Sequence, residues 1–143
     1  MTEAQYKELI RVKLPSNPKY ISVLRATISE VALKMGFSLE EANDLKLALN
    51  EACANVIEHA YQWQKNKSMF VYFYLFNDRL EVVVKDFGKK VDPSTIKSRE
   101  LNDFKDGGLG VFILRNLVDN LEYDTTPKVG TELKFVKMKR GSN

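Results

Sequence analysis

The chain has 143 residues, 44% of them hydrophobic and 29% charged, which suits one domain over residues 1–143 with a single core and argues against disorder. Its net charge of +3 tolerates an anionic ligand, but the basic residues are scattered and no stripe pairs them with exposed aromatics, so no nucleic-acid partner is expected. No run approaches the roughly 20 apolar residues of a membrane span, MTEAQYKELI lacks a signal-peptide profile, and the one cysteine, Cys53, sits in an apolar helical pattern: a cytoplasmic protein, bound to no membrane, with a packing cysteine is expected.

Ile10, Val12 and Leu14 alternate with Arg11 and Lys13 and predict an edge strand that ends at Pro15-Ser16-Asn17-Pro18. Tyr20, Leu24, Ile28, Val31 and Met35 recur at helical spacing as far as Gly36, which closes that helix. Ser38 caps a second helix, with Glu41 completing a capping box. Ala42, Leu45, Leu49, Ala52, Val56 and Ala60 share one face and carry this helix to about Tyr61. MFVYFYLF, residues 69–76, is a β-prone run, and Asn77-Asp78 turns the chain. Leu80, Val82 and Val84 alternate in a returning strand that stops at Asp86-Phe87-Gly88. Residues 89–106 are polar and poorly periodic, with at most one short helix opened by Asp92-Pro93, and a connection of this length reads as a lid or binding loop. A third helix turns Leu109, Phe112, Ile113, Leu117 and Leu121 inward. Strands around 121–125 and 131–138, joined by a turn at Pro127 and Gly130, close the chain. The expected fold class is α/β, an α+β two-layer sandwich: a mixed, mostly antiparallel sheet with helices on one face.

Four short stretches carry chemistry. Gly107-Gly108-Leu109-Gly110 leads a long loop into a helix N-terminus, where unpaired amides and the helix dipole favour an anion and no Cβ keeps phosphate oxygens away. Neither GxGxxG after a strand nor the Walker GxxxxGK[ST] is present, and a flexible hinge is the plain alternative. Within LNEACANVIEHAY, residues 49–61, Glu51, Asn55 and His59 form a polar stripe at i, i+4 and i+8 beside the apolar face. An Asn carbonyl suits Mg²⁺ when phosphates and waters supply the other ligands. Glu51, one turn away, is placed to accept a proton from a hydroxyl or water. A solvated helix edge explains the same spacing, and His59, leaning structural, is the weakest of the three. Asp86, at a strand end, suits a hydrogen bond from an exocyclic amine such as adenine N6, or simply a strand-ending turn. The rest of the eukaryotic-type kinase signature that contains DFG is missing. Gly130-Thr131 opens the last strand.

In this order the four stretches resemble the GHKL ATPase superfamily, and most closely its small stand-alone branch, the anti-sigma factor serine kinases of the RsbW and SpoIIAB type. NEACANVIEHAY resembles the family's asparagine box, DFG the start of its first glycine box, GGLGVFILRNLVD its second and GTEL its closing threonine motif. LPSNPKYISVLRATISEVA resembles its first strand and helix, so the likeness covers nearly the whole chain. The resemblance implies a Bergerat-type ATP-binding fold and a role for each matched residue. Glu51 is then the general base and Asn55 the Mg²⁺ ligand. Asp86 holds the adenine amine, and Gly88 lets the base approach. Residues 89–107 form the ATP lid. Gly107, Gly108, Leu109 and Gly110 bind the nucleotide, Gly108 and Gly110 at its phosphates, and Thr131 lies near the adenine through water. Arg25 falls near the partner surface. One departure is Lys90, which stands where the first box, often DxGxG, has its second glycine; glycine there allows backbone freedom under the nucleotide, and the replacement is not read as loss of binding.

The activity implied is that of a serine/threonine protein kinase and anti-sigma factor. Such a protein uses ATP and Mg²⁺, binds a sigma factor, phosphorylates a STAS-type anti-anti-sigma protein, and by analogy forms a homodimer. The alternative is a nucleotide-dependent binding module that captures partners without phosphorylating them, against which the intact Glu51–Asn55 pair stands. A detached histidine-kinase catalytic domain needs a phosphoacceptor histidine, and the one histidine, His59, lies within the supposed nucleotide site. Gyrase, MutL and chaperone relatives need transducer domains for which this length leaves no room.

Overall fold

The computed structural model describes residues 5–89 and 114–140. Five strands form one sheet: β1 (Glu8–Pro15), β2 (Ser68–Leu75), β3 (Arg79–Asp86), β4 (Asn120–Asp124) and β5 (Thr131–Met138), in the order β1-β2-β3-β5-β4. The sheet expected to be mixed is antiparallel at each described pairing. The reason is topological. β3 and β4 run the same way, but β5 lies between them, so no parallel pair forms. β1 is an edge strand, as its alternation predicts.

That alternation decides which side of the sheet is buried. Met69, Val71 and Phe73 of β2, Leu80, Val82 and Val84 of β3, and Leu133 and Phe135 of β5 all face the core. Against them pack α1 (Ile21–Met35), through Leu24 and Ile28, and α2 (Leu39–Asn55), through Leu45 and Leu49. Each large aliphatic or aromatic side chain buried here contributes about 1.5–3 kcal/mol. The helix boundaries follow from local chemistry. α1 is entered by a 3₁₀ turn at Pro18–Tyr20, in which the Asn17 side chain accepts from the Lys19 N–H, and it ends at Gly36 with φ +97°. At the start of α2, Ser38 Oγ accepts from the Glu41 N–H at 3.0 Å, and Glu41 Oε1 accepts from the Ser38 N–H at 2.8 Å. The predicted capping box is real.

Two expectations fail for reasons of packing. The second helix does not continue regularly to Tyr61: after Asn55 it widens into one π turn, Val56–Ala60, in which the Tyr61 N–H reaches back to the Val56 carbonyl at 2.9 Å. Gln62 and Trp63 then take positive φ values of 51° and 67°, turning the chain toward β2. Leu121, expected on the inward face of the third helix, lies in β4 instead. The described end of that helix is residues 114–117, where Leu114 is fully buried and Leu117 packs on the core. Asp92 and Pro93 lie outside the described residues.

A third expectation, that the basic residues meet no exposed aromatics, is corrected by the sheet's other face. Register sets Lys13 beside Phe70 and Arg11 beside Tyr72. Lys13 Nζ stands 5.7 Å from the Phe70 ring centre, and Lys85 Nζ 5.4 Å from that of Phe87. Phe70 and Phe87 pack edge to face at 5.5 Å. The Lys13–Phe70 and Arg11–Tyr72 neighbours lie on strands far apart in sequence, so a linear scan for stripes passes over them.

Candidate functional site

The inward series Leu80, Val82, Val84 has one more member. Asp86 continues the same side of β3 into the core and is only 2% exposed. Its partner across the ladder is Thr131 of β5, 4% exposed. Over this pair lies the last turn of α2, where Asn55 is 7% exposed. Asn55, Asp86 and Thr131, with Ala52, Val84 and Tyr123 among the apolar and aromatic walls, line a cavity of about 20 Å³. That is room for about one water molecule. Asn55 Nδ2 and Thr131 Oγ1 are buried and have no hydrogen-bond partner among the described residues. Each unsatisfied group of this kind costs about 1–3 kcal/mol. Two such groups beside a buried carboxylate offer hydrogen bonds of the kind that a purine edge and a bridging water satisfy, and the cavity among the described residues has room for the water.

The strand end at Asp86 is held from several sides. The Gly88 N–H donates to Asp86 Oδ1 at 2.9 Å, closing a small turn around the carboxylate. The Phe87 N–H donates to the Tyr61 hydroxyl at 2.8 Å, and that hydroxyl donates onward to the Ser68 carbonyl at 2.6 Å. The Lys89 N–H donates to the Ala60 carbonyl at 2.8 Å. Burial, more than the Phe87 bond offsets, raises the Tyr61 pKa, with Asp86 adding to the rise, so the hydroxyl stays protonated. The π turn is thus bonded to the strand end that carries Asp86. Gly88 belongs to that contact: a Cβ there would run into the Ala60 carbonyl and stand 2.6 Å from the Tyr61 ring. Gly130, at φ +78°, lets β5 begin where a Cβ would collide with the Asp86 carbonyl oxygen. The sequence reading missed Tyr61, because its two partners lie on β2 and after β3 and no spacing rule joins them.

Glu51 lies one turn before Asn55 and is half-buried. Burial pushes its pKa up from the ordinary carboxylate value, and the neighbouring Asn50 side chain pulls it part of the way back. His59 leaves the expected stripe. It sits in the π turn, where the chain winds more slowly than an α-helix, and its Nε2 lies 3.8 Å from Glu58 Oε2 while the cavity is lined by other residues. Burial pushes the Cys53 thiol up to about 12, in keeping with its packing role. Lys90, Gly107, Gly108, Leu109 and Gly110, and all of the expected lid beyond Lys89, lie outside the described residues. Among the described residues no group of three or more His, Cys, Asp or Glu could hold a metal ion. An Asn carboxamide oxygen is the kind of donor that Mg²⁺ takes when phosphates and waters supply its other ligands.

The profile of the histidine kinase-like ATPase domain matches residues 14–137. The chain belongs to that family. The match to the histidine kinase-like ATPase domain spans Glu51, Asn55, Asp86, Gly88 and Thr131, that is, the cavity and the strand end around it. Among curated proteins, the chain is 37% identical to "Serine-protein kinase RsbW" of Bacillus subtilis (strain 168), over 80% of this chain and 76% of that protein. It is 34% identical to "Serine-protein kinase RsbW" of Bacillus pumilus (strain SAFR-032), over 93% of this chain and 89% of that one. Among solved structures, the RsbU and RsbW domains of Rv1364c from Mycobacterium tuberculosis superpose with a TM-score of 0.68 at 17% identity, over 94% of this chain and 34% of that chain. The fold of this histidine kinase-like ATPase domain is therefore shared with a chain of which it spans about a third.

Proposed function

We propose that this ATPase domain is a Mg-ATP-dependent serine/threonine protein kinase and anti-sigma factor, which phosphorylates a STAS-type anti-anti-sigma protein and so controls the availability of a sigma factor. One observation carries the reading: buried polar atoms of Asn55 and Thr131, without a hydrogen-bond partner among the described residues, flank Asp86 in a chain whose relatives are named serine-protein kinases. Asp86 accepts a hydrogen bond from the adenine amine, with Thr131 joined to the base through a water. Asn55 turns its carbonyl to Mg²⁺, which when bound neutralises charge on the phosphoryl group in transit. Glu51 takes the proton of the acceptor hydroxyl as its oxygen bonds to the γ-phosphorus and the bond to ADP breaks. The raised pKa of Glu51 supports this role, since a base works best near the operating pH. The rest is positioning and charge neutralisation. Residues 1–143 acting as one ATPase unit with a lid at about 89–107, a cytoplasmic location, and a homodimer belong to the same proposal; the aromatic open face of the sheet supports the last.

Labelled Mg-ATP with a purified STAS-domain protein tests it. Glu51→Gln keeps ATP binding by calorimetry and loses phosphoryl transfer by about 10²-fold or more. Asn55→Ala loses the Mg²⁺-dependent part of nucleotide affinity. Transfer near the wild-type rate in Glu51→Gln removes the general base, and partner binding without label transfer in the wild type favours the non-catalytic module.

A further inference from the structure

Tyr123 is what β4 contributes to the cavity, and the scheme above gives it no task. In β4 the half-buried positions are Leu121 and Tyr123, set between the exposed Asn120, Glu122 and Asp124. Register places Tyr123 opposite Leu133 of β5, one inward position from Thr131, and Leu133 in turn opposite Val84 of β3. The ring therefore joins the inward layer and packs against the core. Phenylalanine would serve that packing as well. Tyrosine carries a hydroxyl into the interior besides, where it is buried, and a buried hydroxyl needs polar company. The cavity supplies it, since its other polar walls are Asn55, Asp86 and Thr131.

At about 20 Å³ the cavity admits one water, and a buried water is typically held by about three polar partners. Asn55 Nδ2 only donates, whereas the Thr131 and Tyr123 hydroxyls each donate or accept. Asp86 already has a bond of its own, its Oδ1 taking the Gly88 N–H. Three groups on three different elements thus suffice for one water and leave its fourth bond to a guest. We propose that Tyr123 is a positioning residue of the nucleotide site: its hydroxyl and that of Thr131 fix a water that accepts from Asn55 Nδ2. The consequence lies at the other end of the Asn55 carboxamide. With the nitrogen engaged in the cavity, the oxygen is the end left for a metal ion. The inference rests on the reading of this cavity as part of the nucleotide site, and it ties the base end of that site to the metal end.

The test uses the full chain in two ways. High-resolution crystal structures of the nucleotide-free wild type and Tyr123→Phe compare the cavity directly. The wild type is expected to show one ordered water within hydrogen-bond distance of the Tyr123 hydroxyl, Thr131 Oγ1 and Asn55 Nδ2. In Tyr123→Phe, which keeps the ring and its packing, that water is displaced or lost. Calorimetric titration with ATP, once in Mg²⁺ and once in EDTA, reads the consequence. Tyr123→Phe lowers the ratio of the two affinities about fivefold, as the loss of one hydrogen bond implies. A ring that only packs would change both affinities alike and leave the ratio as it was. The double variant Asn55→Ala/Tyr123→Phe has the same ratio as Asn55→Ala alone, since Tyr123 acts through Asn55. A dry cavity in the wild type, a water unmoved in Tyr123→Phe, or an unchanged ratio overturns the proposal. A wild type that binds no ATP would instead sink the nucleotide reading, while the two structures still decide whether Tyr123 holds the water.

Discussion

Glu51 is a carboxylate that the fold does not favour. Burial raises its pKa above that of the unfolded chain, so the native state binds its proton more tightly and the ionised form is the disfavoured one. The sign follows. Above both pKa values the wild type bears the full penalty, the penalty shrinks as pH falls through the folded pKa, and it vanishes below the unfolded pKa. Glu51→Gln is therefore expected to raise Tm at neutral pH by about 1–2 °C, with the advantage gone below the ordinary glutamate range. Calorimetric melting of both proteins from pH 7 to pH 3.5 checks this, and an equal advantage at acid pH would contradict it. A substitution that stabilises the fold while abolishing transfer is the signature of a group kept for chemistry. Asn55 Nδ2 and Thr131 Oγ1, buried without a partner among the described residues, are the polar atoms we propose beside it in the nucleotide site.

Among the elements, the π turn is the one whose irregularity has a use. It places Tyr61 so that one hydroxyl ties Ser68 at the start of β2 to Phe87 just past β3, and it offers the Ala60 carbonyl to Lys89. Tyr61→Phe leaves the Phe87 N–H and the Ser68 carbonyl without that partner, and is expected to cost about 1–3 kcal/mol of stability and to weaken ATP binding, because the turn around Asp86 loses a support. Ser38→Ala is the contrast. It removes the cap of α2 and costs about 1 kcal/mol, but the cap lies at the opposite end of the helix from Asn55, so nucleotide affinity stays unchanged. Urea melts and ATP titrations on both variants separate the two effects. Equal nucleotide affinity in Tyr61→Phe and wild type would show that the bridge is scaffold only.

For the whole molecule, the sheet has two different sides. One is the apolar layer under α1 and α2 that ends in Asp86 and Thr131; the other carries Phe70, Tyr72, Tyr74 and Phe87 among lysines and arginines. A half-buried aromatic surface of this kind is costly to leave wet, and we propose it as the contact face of the homodimer. Tyr72→Glu sets a carboxylate in the middle of that face, beside Arg11 and Val83 in the register. Sedimentation equilibrium is expected to show a monomer for the variant and a dimer for the wild type, with ATP affinity preserved because the cavity lies on the opposite side. A variant that remains dimeric would move the interface elsewhere.

What the sequence alone determined is local. The Ser38–Glu41 capping box, the Gly36 stop, the alternation that sends Asp86 inward and the Glu51–Asn55 spacing each depend on residues within about one or two turns of one another, or on a strand's period of two. The glycine motif of 107–110 is equally local, but it lies outside the described residues, so its reading is untested by them. Other features were decided only by tertiary structure: the insertion of β5 between β3 and β4, the Tyr61 bridge to Phe87, the Arg25–Asn50 hydrogen bond and the Lys13–Phe70 pair. These join segments distant along the chain. Their partners are chosen by register and by close packing, which local spacing does not encode.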